Sequence, residues 1–217
     1  MRALALLILG SLGLSLPAET IRLTHDGTNK RDPRYFDGGR KIMYSFDETR
    51  ALLRLMVMDA EALKPEPMFN DANKHQLNAA MSPDGNHIAF NECTGNLTAH
   101  FVIRRRDDRK DSFVKHGGRG GYRSPVFTRD SKHVLYCFAE TGPQHIWRVT
   151  LDGKEKKQIT EGTGVNNWPS FSPDGKTLVY GSSRTNTYEI YSSDADGKNV
   201  KQLTDNEAMD IRPEISP

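Results

Sequence analysis

The feature that most constrains the fold is a twelve-residue phrase that returns along the chain at almost constant spacing. Its best copy reads Pro-Ser-Phe-Ser-Pro-Asp-Gly-Lys-Thr-Leu-Val-Tyr and covers residues 169–180. Related copies begin at Pro33, Ala79 and Pro125, and a copy that is cut short begins at Pro213. Strand-rich units that repeat every forty-odd residues are typical of a β-propeller, in which each unit forms one four-stranded blade.

Each copy of the phrase contains a turn between two predicted strands. The turn residues are Asp84 and Gly85, Asp130, and Asp174 and Gly175. In such turns Asp accepts hydrogen bonds from its own backbone and Gly adopts a positive φ, so the local geometry already explains both residue types. We therefore predict a structural role for these residues and not a ring of metal ligands.

The remainder of each unit supplies two more predicted strands. In the last full unit the four strands are expected at residues 168–172, 177–181, 189–192 and 201–204. The second of them is apolar at consecutive positions, as expected for a strand buried on both faces between stacked blades. The sequence predicts an all-β fold, a β-propeller of four-stranded antiparallel blades.

Four units are present, plus a truncated fifth copy of the phrase that stops at Pro217. We expect an incomplete ring of the six-bladed type, and a complete four-bladed ring is the alternative. Residues 21–24 precede Pro33 by the same number of residues by which the outer strands of later units precede Pro169 and Pro213. They are expected to form an outer strand that completes the last blade and so removes an exposed sheet edge.

Residues 1–18 differ from the rest of the chain. Arg2 precedes an uncharged apolar stretch, and a small residue, Ala18, lies at its exit. This pattern predicts a signal peptide at 1–18 and a propeller domain, incomplete at its C-terminal end, at 19–217. An uncleaved anchor is the alternative, although the stretch is shorter than the roughly 20 residues of a membrane span. The expected location is periplasmic or secreted, with no stable membrane span after cleavage.

Charge and cysteine content narrow the classes of partner. The formal net charge is +2, with basic and acidic residues interspersed, so no strong field favours nucleic acid. Cys93 and Cys137 are the only cysteines and fall at unequal positions of neighbouring units. Because a disulfide needs Cα atoms within about 7 Å, two unpaired thiols are expected.

The repeated phrase, followed by Ile-Tyr, Asp-Gly and Gln-Leu-Thr, resembles the TolB-type propeller repeat, also called the WD40-like PD40 repeat. The resemblance covers residues 20–217. It implies one of several roles, because these repeats occur in the periplasmic TolB component of the Tol-Pal envelope system and in the substrate-gating propellers of prolyl-oligopeptidase-like peptidases. Related propellers form oligogalacturonate lyases.

The positions that depart from the repeat lie just before each inner strand, at the expected mouth of the central channel. Variable polar residues that converge on one cavity are what a binding site needs, although loops also vary without selection. The candidate binding residues are Arg31, Asp32, His75, Asn78, Tyr122, Arg123, Asn167, Trp168, Asp210 and Arg212.

No nucleophile-elbow, zinc-protease or phosphate-loop motif occurs in the 217 residues. We therefore expect a non-catalytic module, without cofactor or metal, that binds a protein or polysaccharide partner in the cell envelope. The alternatives are the gating propeller of a secreted prolyl-oligopeptidase-like peptidase and a metal-dependent oligogalacturonate-lyase-like enzyme.

Overall fold

A computed structural model describes residues 20–49, 52–94, 99–117 and 120–216. Within those ranges the chain forms sixteen β-strands and no helix. The strands are β1 (Lys30–Phe36), β2 (Lys41–Thr49), β3 (Leu52–Asp59), β4 (Pro65–Pro67), β5 (His75–Met81), β6 (His87–Cys93), β7 (Ala99–Arg105), β8 (Asp111–Val114), β9 (Arg123–Phe127), β10 (His133–Phe138), β11 (His145–Thr150), β12 (Lys156–Gln158), β13 (Asn166–Phe171), β14 (Thr177–Thr185), β15 (Thr187–Asp194) and β16 (Lys201–Gln202).

The strands form four separate four-stranded sheets, β1–β4, β5–β8, β9–β12 and β13–β16, hereafter sheets 1 to 4. All pairings are antiparallel and join strands that are consecutive in the chain. Each sheet is thus one repeat unit folded as a meander. The predicted all-β fold of four-stranded antiparallel blades is confirmed.

The first strand of each sheet faces a common centre. Strand β5 contacts both β1 and β9, and β9 also contacts β13. Consecutive sheets therefore meet along their first strands, as the blades of a propeller do around its axis. The arrangement is open and matches an incomplete propeller, as the sequence predicts.

The core consists of apolar layers between successive sheets. Met43 and Phe90 lie in the layer between sheets 1 and 2, and Phe101 and Tyr136 lie in the layer between sheets 2 and 3. The second strands of sheets 2 and 3 are buried on both faces because a neighbouring sheet covers each face. Tight apolar packing of this kind fixes the sheets relative to one another.

The expectation of a strand at residues 21–24 is wrong, because these residues form none. A strand requires a hydrogen-bonding neighbour, and no edge of the four sheets provides one here. Instead Leu23 packs against the outer apolar face of sheet 1, beside Ile42, Tyr44 and Met58.

Both cysteines are free thiols, Cys137 buried and Cys93 half-buried, as expected from their positions in the repeat. The predicted signal peptide at 1–18 lies outside the described residues. No described segment forms a helix with the length and apolar character that crossing a membrane requires.

Candidate binding site

Each of the four inner strands has a bulge whose central residue adopts a left-handed backbone conformation, with φ values of 52° at Asp32, 51° at Asn78, 50° at Ser124 and 55° at Trp168. Arg212, at the equivalent position of the fifth copy of the phrase, lies in no strand and has a φ of 56°. The pairing register with the second strand shifts beside the first four of these residues. Left-handed conformations at residues other than glycine cost of order 1–3 kcal/mol each and concentrate at functional sites.

The five left-handed residues line one cavity at the centre of the four sheets, with a volume of about 510 Å³. We call it the central cavity. Its charged and polar side chains are Arg31, Asp32, Arg34, Asn78, Arg123, Ser124, Trp168, Arg212 and Glu214. Pro33, Leu77, Ala79, Pro125, Pro169 and Pro213 complete the wall. Repetition of the same bulge in every unit is what brings residues from the whole length of the chain to one place.

One hydrogen-bonded network crosses the cavity. Arg34 Nη1 donates to Glu214 Oε1 over 2.8 Å, and the Ser170 hydroxyl donates to Glu214 Oε2, also over 2.8 Å. Arg34 belongs to β1, whereas Glu214 follows sheet 4 in the chain. Both side chains of the ion pair are substantially exposed, so the pair adds little stability and mainly sets where its groups lie.

The other arginines of the cavity differ in their partners. Arg31 pairs with Asp47 on the adjacent strand, with Nη2 to Oδ2 at 3.2 Å. Arg123 and Arg212 are exposed and form no ion pair within the described part of the chain. The cavity therefore presents two guanidinium groups with free donor capacity.

The indole of Trp168 is held on both sides. A Cβ atom added to Gly181 would lie 3.0 Å from Trp168 Cε3, so the absence of a side chain at Gly181 makes room for the ring. The Tyr188 ring packs at 5.3 Å between centroids, tilted by 55°. Trp168 thus has a fixed, half-buried position on the cavity wall.

Six of the ten candidate residues from the sequence lie together in the central cavity: Arg31, Asp32, Asn78, Arg123, Trp168 and Arg212. Tyr122 lies outside it, buried in the layer between sheets 2 and 3, where its hydroxyl donates to the carbonyl of Val114 over 2.9 Å. Asn167 is buried behind the wall, and Asp210 accepts a hydrogen bond from Asn206 over 2.9 Å.

His75 lies in a neighbouring cavity of about 460 Å³, which also includes Arg31 and Asp47. Its Nδ1 accepts a hydrogen bond from the backbone N–H of Leu53 over 3.2 Å. Across the described residues, no three His, Cys, Asp or Glu side chains are grouped closely enough to hold a metal ion.

The turn residues lie outside the central cavity, at the far ends of the inner strands. Asp174 Oδ1 accepts from the Ser172 hydroxyl over 2.6 Å and from the backbone N–H of Lys176 over 3.1 Å. These two hydrogen bonds lower the pKa of Asp174 below its usual value, and the bond from the Ser172 hydroxyl has the larger effect. Gly175 follows with φ 72°, a conformation that glycine adopts without strain.

The other turns repeat this arrangement. Asp130 accepts from the Thr128 hydroxyl over 2.6 Å and from the N–H of Lys132 over 3.0 Å, and its pKa is likewise lowered. At Asp84, partial burial raises the pKa, but hydrogen bonds from Ser82 and Asn86 outweigh it and leave the pKa below its usual value. Gly85 follows Asp84 with φ 74°.

Arg34, Glu214, Gly181 and Tyr188 belong to the site but were missed by reading the sequence alone. Arg34, Ser170 and Glu214 occupy the same variable position of the repeated phrase, directly after the proline. The occurrence of a basic, a hydroxyl and an acidic side chain at this one repeat position could have indicated that Arg34, Ser170 and Glu214 interact. Nothing in the sequence pairs Gly181 with Trp168.

The fold and cavity define a β-propeller protein with a polar, arginine-bearing central cavity. The sequence profile of the family described as the TolB beta propeller domain, PD40, matches residues 41–217. The chain belongs to this family.

Individual relatives agree with this assignment. The chain is 29% identical over 106 residues to a protein TolB homolog of Chlorobium chlorochromatii strain CaD3, a match that spans 45% of this chain and 23% of the relative. The crystal structure of TolB from Acinetobacter baumannii superposes with a TM-score of 0.70 at 17% identity, over 88% of this chain and 47% of that one. A prolyl endopeptidase structure gives a TM-score of 0.60 at 18% identity, over 82% of this chain and 30% of that one.

Proposed function

We propose that the protein is an exported, non-catalytic binding module of the cell envelope, which holds a protein or polymer partner at its central cavity. The observation that carries the proposal is the left-handed backbone conformation repeated at Asp32, Asn78, Ser124, Trp168 and Arg212. Strained residues with different side chains at equivalent positions around one cavity are what a specific recognition site requires.

The mechanism is rigid display. The apolar layers between the sheets hold the inner strands in place, and the bulges turn one variable residue per unit towards the cavity. Side chains that are already ordered lose little conformational entropy when the partner binds. Trp168 and Arg123 are the residue types that contribute most to interface energetics, and both line the cavity.

A substitution experiment tests this role. The protein carrying Trp168→Ala together with Arg123→Gln is immobilised and used to recover partners from an envelope extract of the source organism. We expect the partner recovered by the unsubstituted protein to be lost. The matched control is Arg40→Gln, since Arg40 is exposed in the β1–β2 turn, outside the cavity. Equal recovery by all three proteins would contradict the proposal.

Export is proposed from residues 1–18, whose basic start and apolar centre fit a signal peptide. Fractionation of cells that express the protein with and without these residues tests it. We expect the processed protein in the periplasm or medium only when residues 1–18 are present. Retention of both forms in the cytoplasm would contradict export.

A second candidate is the gating propeller of a prolyl-oligopeptidase-like peptidase, and the likeness in fold to a prolyl endopeptidase favours it. The chain spans 30% of that structure, so catalysis in this case would belong to a further domain. Labelling the protein, as expressed from its complete gene in the source organism, with a fluorophosphonate probe for active serines tests the idea. Labelling together with cleavage of a proline-containing peptide would support it, and the absence of labelling would count against it.

A further inference from the structure

The cations of the central cavity outnumber the anions that could neutralise them. Four arginines line the cavity, and two of them have carboxylate partners, Arg34 with Glu214 and Arg31 with Asp47. Asp32 is the remaining carboxylate on the wall. Among the described residues no carboxylate pairs with Arg123 or Arg212, so their guanidinium donors can serve a ligand.

The pair of Arg34 and Glu214 shows what chemistry suits this environment. Glu214 projects into the cavity and is held by a guanidinium on one oxygen and a hydroxyl on the other, each at 2.8 Å. A carboxylate from another chain would meet the same types of donor at Arg123, Arg212 and Ser124. The planar fork of a guanidinium matches the two oxygens of a carboxylate.

We infer that the central cavity binds an acidic segment of a protein partner, whose Asp or Glu carboxylates are held by Arg123 and Arg212. This inference rests on the proposed function, because it names the chemistry of the partner at the same cavity. Electrostatic attraction would also speed the encounter and select against basic segments.

The rest of the wall favours a polypeptide over other polyanions. Trp168 and four prolines give the cavity apolar surface beside its cations, the mixture found at the centre of protein interfaces. Nucleic-acid binding instead uses an extended basic stripe along the backbone. Here the net charge is only +2, and Arg123 and Arg212 lie together in one concave site and not along an extended stripe.

The test uses three ten-residue peptides in a Gly-Ser background that carry four Glu, four Gln or four Lys residues, with binding measured by calorimetry at low and high salt. We expect the Glu peptide to bind at least about tenfold more tightly than the Gln peptide, and more weakly as salt rises. Arg123→Gln with Arg212→Gln should remove the preference, whereas Arg40→Gln should keep it.

Several outcomes would overturn the inference. Equal binding of the Glu and Gln peptides would remove charge recognition, and unchanged binding to the double variant would place the acidic segment elsewhere. If heparin or single-stranded DNA binds more tightly than the Glu peptide through the same two arginines, the ligand of the cavity is another polyanion and not a protein segment. None of these outcomes decides the proposed function, which depends on the loss of partner recovery in the Trp168 and Arg123 variant.

Discussion

The indole of Trp168 lies over Gly181, with its Cε3 atom 3.0 Å from the point that a Cβ atom at Gly181 would occupy. Gly181 has no positive φ, so an alanine there meets the indole and not a backbone conflict. The glycine thus serves the cavity wall. The position of Trp168 depends on a residue of the neighbouring strand that does not itself line the cavity.

We therefore predict that Gly181→Ala moves the indole of Trp168 by a few tenths of an ångström or more and weakens partner recovery. Acrylamide quenching of Trp168 fluorescence, in a Trp147→Phe background, should become more efficient. Gly121→Ala is the matched control because Gly121 has open space around its Cα and no positive φ. Quenching that is unchanged by Gly181→Ala would show that the indole does not depend on this contact.

The same three-letter pattern has two different environments in consecutive units. Ile159, in Gln-Ile-Thr, is 4% exposed in the layer between sheets 3 and 4, whereas Leu203, in Gln-Leu-Thr, is 55% exposed. The hairpin of sheet 4 closes over Ile159 at Gly197, where a Cβ atom would lie 2.0 Å from the carbonyl oxygen of Ile159. The apolar residue between Gln and Thr is thus buried at Ile159, where sheet 4 covers it, and exposed at Leu203, which no described sheet covers.

Ile159→Ala should lower the free energy of unfolding by about 2–4 kcal/mol, as a buried aliphatic truncation does. Leu203→Ala should change it by less than about 0.5 kcal/mol, because an exposed side chain loses few contacts. Urea unfolding of both variants measures the difference. A comparable loss in the Leu203 variant would show that this side chain is covered in solution.

Two departures from the repeated phrase join neighbouring sheets. Arg129 stands where the units of sheets 2 and 4 carry the turn proline, and it donates from Nε and Nη2 to the carbonyls of Ser172 and Phe171, both over 3.1 Å. Ser131 stands where other units carry glycine, and its hydroxyl accepts from the N–H of Asp84 over 3.1 Å. Sheet 3 is thereby tied to sheet 4 on one side and to sheet 2 on the other.

We expect Arg129→Ala to lower the free energy of unfolding by about 1–2 kcal/mol, since it removes two hydrogen bonds from a partly exposed charged group. Lys132→Ala is the control, because Lys132 shares the turn and only its backbone N–H is bonded there. Guanidinium chloride is unsuitable because it screens charges, so urea denaturation is the measurement. An equal effect of both substitutions would attribute the loss to the turn and not to the link between sheets.

These particulars mark how far the sequence predicts the structure. The repeat predicted the sheets because its strands and turns are local, and the carboxylate of every turn Asp accepts its hydrogen bonds from groups within two residues. It failed at residues 21–24, because pairing of a strand depends on a distant edge. Tyr122 was expected at the cavity, but its side chain is buried in the core. Successive residues of an extended chain point to opposite sides, so Tyr122 and its neighbour Arg123 face different environments. The contact of Trp168 with Gly181 and the network of Arg34 with Glu214 depend on packing across strands, which residue spacing does not reveal.

The hydrogen bonds at the turn carboxylates predict a dependence of stability on acid. A hydrogen bond from the Ser172 hydroxyl is the largest cause of the lowered pKa of Asp174. Hydrogen bonds from the hydroxyls of Thr128 and Thr150 lower the pKa values of Asp130 and Asp152 in the same way. A lowered pKa in the folded state stabilises the fold above the unfolded value of about 4. This contribution is lost as the pH falls below about 4 and the folded carboxylates become protonated.

Urea midpoints at pH 7, 4 and 3 measure that loss, and Asp174→Asn should flatten the acid limb because one of these carboxylates is gone. Partner recovery at pH 7 should be unchanged, since Asp174 lies outside the central cavity. Parallel acid limbs for the two proteins would show that this turn does not contribute. Loss of partner recovery without loss of stability would contradict the structural role of Asp174.

His116 gives a second dependence on pH, in a higher range. Its side chain is fully buried between sheets 2 and 3, stacked on Phe138 at 4.2 Å, with Nε2 2.6 Å from the Tyr136 hydroxyl and Nδ1 3.0 Å from Glu140 Oε1. Burial lowers the pKa of His116, and the hydrogen bond with Glu140 opposes it only in part. The imidazole is therefore neutral in the folded protein at pH values where it is already protonated in the unfolded chain.

Because the unfolded chain takes up this proton first, stability should be constant above about pH 7 and fall from about pH 6.5 down to the lowered pKa of folded His116. His116→Phe keeps the stacked ring without a titrating group, so its urea midpoint should fall less between pH 7 and pH 5. Some loss should persist, since burial also lowers the pKa of His145. His25→Phe, at an exposed position, is the matched control and should follow the unsubstituted protein. If the urea midpoint of His116→Phe falls as much as that of the unsubstituted protein, protonation of the buried imidazole does not cause the loss of stability.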